Sequence, residues 1–151
     1  MSDEKNSTRD QRIEALVAEL GRVEESLRVL QQNLGVILQE LEEIRIAREA
    51  LEGLKNYSSN EILISVDRRG HVYVKGLVSS RDVVLTHIGG EYLTELPLER
   101  AFKILEEKES DLKKALDSLN QEINEARQVY ERLYNALNTL IAERERERKE
   151  K

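Results

Sequence analysis

The sequence contains no cysteine and no tryptophan, and it has one proline and one phenylalanine among 151 residues. Without cysteine the chain forms neither disulfides nor thiolate metal sites, and its composition fits a reducing cytoplasm. Aromatic residues make up only 4% of the chain, whereas charged residues make up 36%. This composition is typical of long helices with narrow apolar stripes and not of a globular domain with a thick core.

No segment of the chain is strongly basic, and the net charge is −6. Because binding to phosphates requires clustered Lys and Arg, we do not expect a nucleic-acid partner. The residues from Met1 to Asp10 are polar and lack the apolar segment of a signal peptide. No apolar run approaches the ~20 residues that span a bilayer, so we expect no membrane partner. These features predict a single cytoplasmic domain over residues 1–151.

Apolar residues recur at alternating intervals of three and four in two long segments. The first series comprises Ile13, Leu16, Leu20, Val23, Leu27, Leu30, Leu34, Ile37, Leu41, Ile44 and Leu51, and its one polar member is Arg48. The second comprises Leu98, Phe102, Leu105, Leu112, Leu116, Leu119, Ile123, Ala126, Tyr130, Leu133, Leu137 and Leu140, and its one polar member is Glu109. This spacing marks positions a and d of the coiled-coil repeat abcdefg. It predicts helices over residues 10–56 and 97–146.

Two arrangements of these helices are compatible with the repeat. Either they pair with each other in antiparallel orientation, or each pairs with another chain. The helices are nearly equal in length and are covalently linked, which gives each a high effective concentration near the other. We therefore expect an antiparallel two-helix coiled coil within one chain.

Between the helices, residues 57–96 show the two-residue alternation of β-strands. The predicted strands are Glu61–Val66, His71–Val78, Val83–Ile88 and Glu91–Thr94, which form two hairpins. Pro97 is expected in the first turn of the second helix, where its missing N–H is tolerated. The predicted fold class is therefore α+β: a long antiparallel two-helix coiled coil with two β-hairpins between the helices.

The predicted hairpins are too apolar for one chain to bury. Isolated hairpins are marginal in water, and their open edges invite pairing with other chains. We therefore expect this region to be an oligomerisation body. The candidate oligomerisation residues are Ile62, Ile64, Val72, Val74, Val83, Val84 and Leu85.

The sequence contains no pattern typical of catalysis or of a bound cofactor. His71 and His87 fall in predicted strands without the spacing of metal ligands. The pair Gly89-Gly90 lacks the surrounding glycine pattern of a phosphate-binding loop and is interpreted as a turn. Arg48 and Glu109 are interpreted as local register or capping features near the hairpins and not as a site. We expect no enzyme activity, no metal and no cofactor.

The order helix, two hairpins, helix resembles the alpha subunits of prefoldin, the archaeal ones above all. The resemblance covers nearly the whole chain and is most specific in Glu61–Ile64, Val72–Gly76 and His87–Tyr92. Ser65 departs from the family, which usually has proline there, and Asp67–Gly70 replaces a short glycine-rich turn.

The resemblance implies a hexamer of two alpha and four beta subunits. In such an assembly the strands form a double β-barrel body that carries six coiled coils. It captures unfolded client proteins without ATP and delivers them to a group II chaperonin. The implied partners are therefore prefoldin beta subunits, unfolded proteins and a chaperonin.

Near the free ends of the predicted helices, apolar residues occur outside positions a and d. Val17, Tyr134 and Ile141 all occupy e positions. Because helix ends fray, partial unwinding would expose these residues and the adjacent seam to a client. The candidate client-binding residues are Ile13, Leu16, Val17, Leu20, Leu133, Tyr134, Leu137, Leu140 and Ile141. The alternative interpretation is that they only complete the coiled coil.

Two other functions are compatible with this architecture. One is a structural protein that polymerises through its β edges into filaments. The other is a coiled-coil adaptor that docks a macromolecule, which is disfavoured because the chain has no basic stripe and no accompanying catalytic domain.

Overall fold

The computed structural model describes residues 2–150, with side chains described from residue 7 onward. The elements in chain order are helix α1 (Ser2–Asn56), strands β1 (Glu61–Ser65), β2 (Tyr73–Leu77), β3 (Val83–Gly89) and β4 (Tyr92–Pro97), and helix α2 (Leu98–Lys149). The predicted α+β fold of two long helices with two hairpins between them is confirmed.

The chain divides into two compact units. The helical unit comprises Met1–Leu38 and Lys114–Lys151, and the hairpin unit comprises Gln39–Lys113. The single domain predicted for residues 1–151 stays a prediction.

Helix α1 is built mainly from residues of high helix propensity and contains no proline. Ion pairs one turn apart reinforce its exposed face. Arg45, for example, lies 2.6 Å from Glu42 and 2.5 Å from Glu49. The helix ends at Asn56, as predicted, but it begins at Ser2 instead of residue 10. The amide of Tyr57 closes the last turn by donating to the Gly53 carbonyl at 2.9 Å.

Helix α2 begins at Leu98, whose amide donates to the Asp82 carbonyl at 2.9 Å. The prediction that Pro97 lies in this helix was wrong. Pro97 is the last residue of β4 and pairs with Val83 at the end of the ladder, where a residue without an N–H is tolerated. The helix runs to Lys149, and its basic last turn complements the helix dipole.

In the helical unit the two helices pack along the predicted a and d positions. Leu20 and Leu119 are each 7% exposed and Ile123 is 4% exposed, whereas most surrounding positions are exposed. The helices are antiparallel, because Arg9 near the start of α1 contacts Glu147 near the end of α2. The buried apolar residues follow a narrow stripe along the helices. No helix within residues 2–150 is long and apolar enough to cross a membrane.

The hairpin unit contains the same kind of helix pairing beside the strands. Ile44, Leu98 and Ala101 are its buried apolar residues among those described. Lys55 near the end of α1 lies 2.8 Å from Glu99 in the first turn of α2, which is again the antiparallel orientation. The antiparallel pairing expected within one chain is thus present in each unit.

The first hairpin pairs β1 with β2, from Glu61 opposite Leu77 to Ser65 opposite Tyr73. Its turn is organised by Asp67, whose carboxylate accepts hydrogen bonds from the amides of Arg69, His71 and Val72 at 2.8, 3.0 and 3.0 Å. Because the amides of His71 and Val72 bond this carboxylate, β2 begins at Tyr73 and not at His71 as predicted. Val72 therefore lies outside the strand.

The second hairpin pairs β3 with β4 and contains a bulge between His87 and Gly89. Gly89 and Gly90 adopt φ of 142° and 57°, which other residues rarely do. The turn lies one residue later than predicted, because Gly89 ends β3 opposite Tyr92 and the turn residues are Gly90 and Glu91. Strand β4 continues beyond the predicted end at Thr94 to Pro97, because Glu95 to Pro97 remain paired with β3.

Candidate functional site

The nine residues predicted to bind clients all lie in the helical unit. Seven of them are buried or half-buried along the helix pair: Ile13, Leu16, Leu20, Leu133, Leu137, Leu140 and Ile141. The other two, Val17 and Tyr134, have exposed fractions of 54% and 48%. Val17 and Tyr134 are therefore the members of this set that offer most surface without any rearrangement.

Ion pairs join the helices just beyond the last apolar seam residues. Arg9 donates through both Nη atoms to the two carboxylate oxygens of Glu147, each at 2.8 Å. Arg144 Nη1 lies 3.6 Å from Asp10 Oδ1. The hydrogen bond to Glu147 raises the pKa of Arg9 above its ordinary value. A bidentate Arg–carboxylate pair fixes geometry as well as charge, so these contacts favour closed helix ends, and the predicted unwinding stays a prediction.

A pair of stacked tyrosines links the two helices of this unit. The rings of Tyr130 and Tyr134 are 6.0 Å apart and inclined by 11°. Tyr130 Oη donates a hydrogen bond to Glu24 Oε1 at 3.1 Å. This hydrogen bond raises the pKa of Tyr130, because the phenolate would face a carboxylate. The contact places the exposed ring of Tyr134 on the same side of the coiled coil as Glu24.

Sequence reasoning missed three further exposed apolar residues on α1. Val29, Val36 and Leu38 have exposed fractions of 43, 62 and 49%. None of them occupies an a or d position. A search for apolar residues at the other five heptad positions would have found them.

In the hairpin unit, the two polar members of the seam pair with each other. Arg48 Nη1 donates to Glu109 Oε2 at 2.6 Å, and Lys113 Nζ donates to Glu109 Oε1 at the same distance. The hydrogen bonds from Lys113 and Arg48 lower the pKa of Glu109. A polar pair at seam positions fits only one alignment of the helices, which supports the register role predicted for Arg48 and Glu109.

The first hairpin exposes apolar side chains on both of its faces. Ile64 and Val74, on one face, are 46 and 47% exposed, whereas Leu63 and Leu77, on the other, are 67 and 77% exposed. Ile62 shares the first face and is half-buried. A sheet with two apolar faces requires covering on both sides, and the described residues of this chain leave most of both faces exposed.

The second hairpin has a similar excess of apolar surface. Val84 is half-buried, whereas Val83 and Leu85 are 41 and 68% exposed. On β4, Leu93 is 61% exposed. Val72, outside the strands, is 57% exposed, so of the seven candidate oligomerisation residues five are exposed and two half-buried.

A cavity of about 700 Å³ lies between the last turns of α1 and the first hairpin. Its apolar lining includes Leu54, Tyr57 and Leu63, and the side chains of Lys75 and Arg81 add positive charge. Because Leu63 and Lys75 belong to β1 and β2, the cavity adjoins the exposed apolar surface of the first hairpin.

Both histidines make local structural contacts. His71 Nδ1 lies 3.0 Å from Asp67 Oδ1, and His87 Nε2 donates to the Gly90 carbonyl at 2.7 Å. Among residues 2–150, no three His, Cys, Asp or Glu side chains are grouped as metal ligands would be.

An antiparallel helix pair joined by two hairpins with uncovered apolar faces defines a coiled-coil subunit of a larger assembly. The family model described as "Prefoldin subunit" matches residues 23–143, and the chain belongs to the prefoldin family. The chain is similar to the prefoldin alpha subunit of Metallosphaera sedula, with 31% identity over 126 residues, 83% of this chain and 87% of the relative. It is 29% identical to that of Saccharolobus islandicus over 130 residues, 85% of this chain and 86% of the relative.

Among solved structures, the chain is similar to filamentous PFD from Methanocaldococcus jannaschii, determined by cryo-electron microscopy. The two are 27% identical, the match covers 93% of this chain and 98% of the other, and the TM-score is 0.44. Membership of the prefoldin family, with relatives named as alpha subunits, implies a chaperone-type function and assembly with other prefoldin subunits.

Proposed function

We propose that this chain is the alpha-type subunit of an ATP-independent holding chaperone of the cytoplasm. It binds unfolded proteins through its helical unit and passes them to a group II chaperonin. Two copies assemble with four prefoldin beta subunits through their hairpins.

The observation that carries this proposal is the exposure of apolar side chains on both faces of the first hairpin. Ile64 and Val74 on one face and Leu63 and Leu77 on the other are all at least 46% exposed. Burial of apolar surface contributes about 25 cal/mol per Å², so covering both faces provides a strong driving force for association. Hairpins of partner subunits are suited to bury these faces, because free strand edges on both subunits can pair and bring the hairpins together.

Assembly is what makes weak client contacts useful. In the helical unit, Val17 and Tyr134 are only about half exposed, at 54% and 48%, so one subunit offers a client little apolar surface. Several subunits that hold one unfolded chain at once raise its effective concentration at each site. A holding chaperone built in this way binds many sequences and needs no nucleotide.

The test is suppression of aggregation of a chemically denatured client, without ATP, by the full chain assembled with a prefoldin beta subunit. We expect suppression by the intact assembly and its loss when the ends of both helices beyond the Glu24–Tyr130 contact are removed. The matched control is Val36→Gln, which changes an exposed apolar residue away from the helix ends and should retain activity. Undiminished suppression by the shortened assembly would refute the proposed role of these ends.

The same hairpin surfaces could instead join copies of this chain into a filament, which is the alternative to the assembly with beta subunits. Apolar hairpin faces also allow copies of one chain to associate without limit. Mass measurement of the assembly, described in the Discussion, distinguishes the two.

A further inference from the structure

Near the helix ends, the two most exposed large apolar residues, Val17 and Tyr134, lie on one side of the helix pair, whereas Val29 and Val36 occupy c positions further along α1. Glu24 and Val17 are one heptad apart on α1, and both occupy e positions. Tyr130 reaches Glu24 across the helices, and Tyr134 stacks on Tyr130, so Tyr134 shares this side. Ile141 follows Tyr134 by one heptad on α2. In an antiparallel pair, residues seven apart stay on the same flank.

We call this surface the e flank and define it by Val17, Tyr134 and Ile141. Gly21 lies one turn after Val17, and a β-carbon placed there would meet nothing within 4 Å. The missing side chain leaves the e flank open beside Val17. A ligand therefore reaches this surface while the seam remains closed by the ion pair between Arg9 and Glu147.

Carboxylates lie nearest to the e flank along each helix, whereas the exposed cations Arg127 and Arg148 lie a full heptad away from Tyr134 and Ile141. One turn away from its three apolar residues along the same helices are the exposed carboxylates Glu14, Glu131 and Glu145. The one cation that lies a single turn from these three residues is Arg144, three residues after Ile141, and it is paired with Asp10 at 3.6 Å. An apolar surface with a carboxylate rim is complementary to apolar segments that carry positive charge.

We propose that the e flank binds extended polypeptide segments in which apolar residues are interspersed with Lys or Arg. The inference rests on the proposed holding function and names its client class. The apolar side chains supply contact area against Val17 and Tyr134. The cations of the client interact with Glu14 and Glu131 and select it over acidic segments.

The experiment uses the full chain assembled with a prefoldin beta subunit and two fluorescent peptides with identical apolar residues. One peptide carries Lys and the other Glu at the intervening positions, and affinities are measured by fluorescence anisotropy. We expect the Lys peptide to bind severalfold more tightly, with a preference that shrinks as salt is added, because exposed charges are screened.

Two double variants separate the apolar and the electrostatic contributions. Val17→Gln with Tyr134→Gln should weaken binding of the Lys peptide about tenfold, since both side chains lose their buried contact area. Glu14→Gln with Glu131→Gln should leave most of the affinity but remove most of the preference for Lys. Val36 is also an exposed valine of α1, and Val36→Gln should change neither the affinity for the Lys peptide nor the preference for Lys over Glu.

The outcomes distinguish this inference from the proposed function. If the assembly suppresses aggregation but binds both peptides equally, or if Val17→Gln with Tyr134→Gln has no effect, the e-flank inference is wrong and the holding function stands. If the intact assembly suppresses no aggregation, the proposed function itself fails.

Discussion

Two leucines of the helical unit provide a direct measurement of how much the seam stabilises the chain. Leu119 is 7% exposed at a d position of α2, whereas Leu38 is 49% exposed at an e position of α1. Replacement of either leucine by alanine deletes the same atoms within a helix. The two substitutions should therefore differ in how much they lower the free energy of unfolding, and that difference measures the packing of Leu119 against α1.

The structure sets the size of both effects. A buried Leu→Ala change costs about 2–5 kcal/mol, and a two-helix seam collapses readily around a deletion, so we expect about 2 kcal/mol for Leu119→Ala. For Leu38→Ala we expect less than about 0.5 kcal/mol, because little contact area is lost and alanine has the higher helix propensity. For a chain of this length, about 2 kcal/mol corresponds to a fall in Tm of about 4–8 °C.

The assay is urea unfolding followed by far-ultraviolet circular dichroism. Protomer concentration must be equal in all samples, because assembly makes the apparent stability depend on concentration. An unchanged slope of the free energy of unfolding against urea would assign the effect to the folded state. Equal destabilisation by the two substitutions would refute the packing of Leu119 in a helix–helix seam.

Three further predictions concern single residues. Gly76→Ala should lower the yield of assembled complex in size-exclusion chromatography, because the new β-carbon would lie 2.8 Å from Ile64 Cδ1 and would displace the side chain of this candidate oligomerisation residue. The pKa of Asp67 is lowered by its hydrogen bond with His71 and, to a smaller extent, by those from backbone amides. The ionised Asp67 carboxylate therefore stabilises the hairpin fully at neutral pH. This stabilisation should be lost as the pH falls below 3.8, the ordinary pKa of Asp, and through the lowered pKa of Asp67. The amide NMR signals of the turn would follow the loss. Tyr130 should ionise above the ordinary pKa of 10.0 in an ultraviolet titration, and Glu24→Gln should bring its pKa back toward that value.

Each of these predictions has its own control. Gly35→Ala in α1 adds a β-carbon that meets nothing within 4 Å and lies outside the hairpin unit, so it should leave assembly intact. Asp67→Asn should abolish the acid transition of the turn, and an unchanged transition would assign it to another group. A Tyr130 titration that is the same with and without Glu24 would contradict the hydrogen bond between them.

The long elements could be predicted from the sequence because their pattern repeats many times. Each heptad contributes independent support for the seam, so Arg48 and Glu109 interrupt it without obscuring it. The structure places these two residues opposite each other, which explains why both series break near the hairpins. The end of α1 at Asn56 was also predicted, since the polar residues after it favour a loop.

The ends of the strands could not be predicted in the same way, because they depend on which groups accept the backbone hydrogen bonds. Asp67 competes with β1 for the amides of His71 and Val72, and sequence alternation carries no sign of this competition. Pro97 fits both a strand end and a first helical turn by its φ alone. Its pairing with Val83 decides between them.

The exposure of the candidate site residues was only partly predictable. Heptad position separates Val17 and Tyr134 from the seam, and both are indeed exposed. The stacking of Tyr134 on Tyr130 and the reach of Tyr130 to Glu24 depend on side-chain conformation, which heptad position does not determine.

The most direct test of whether the hairpins build a closed chaperone assembly is native mass spectrometry. The full chain is measured alone and mixed with a one-hairpin prefoldin beta subunit. We predict one discrete complex of two copies of this chain with four beta subunits. Open-ended polymers of this chain that form equally in the presence of the beta subunit would contradict it.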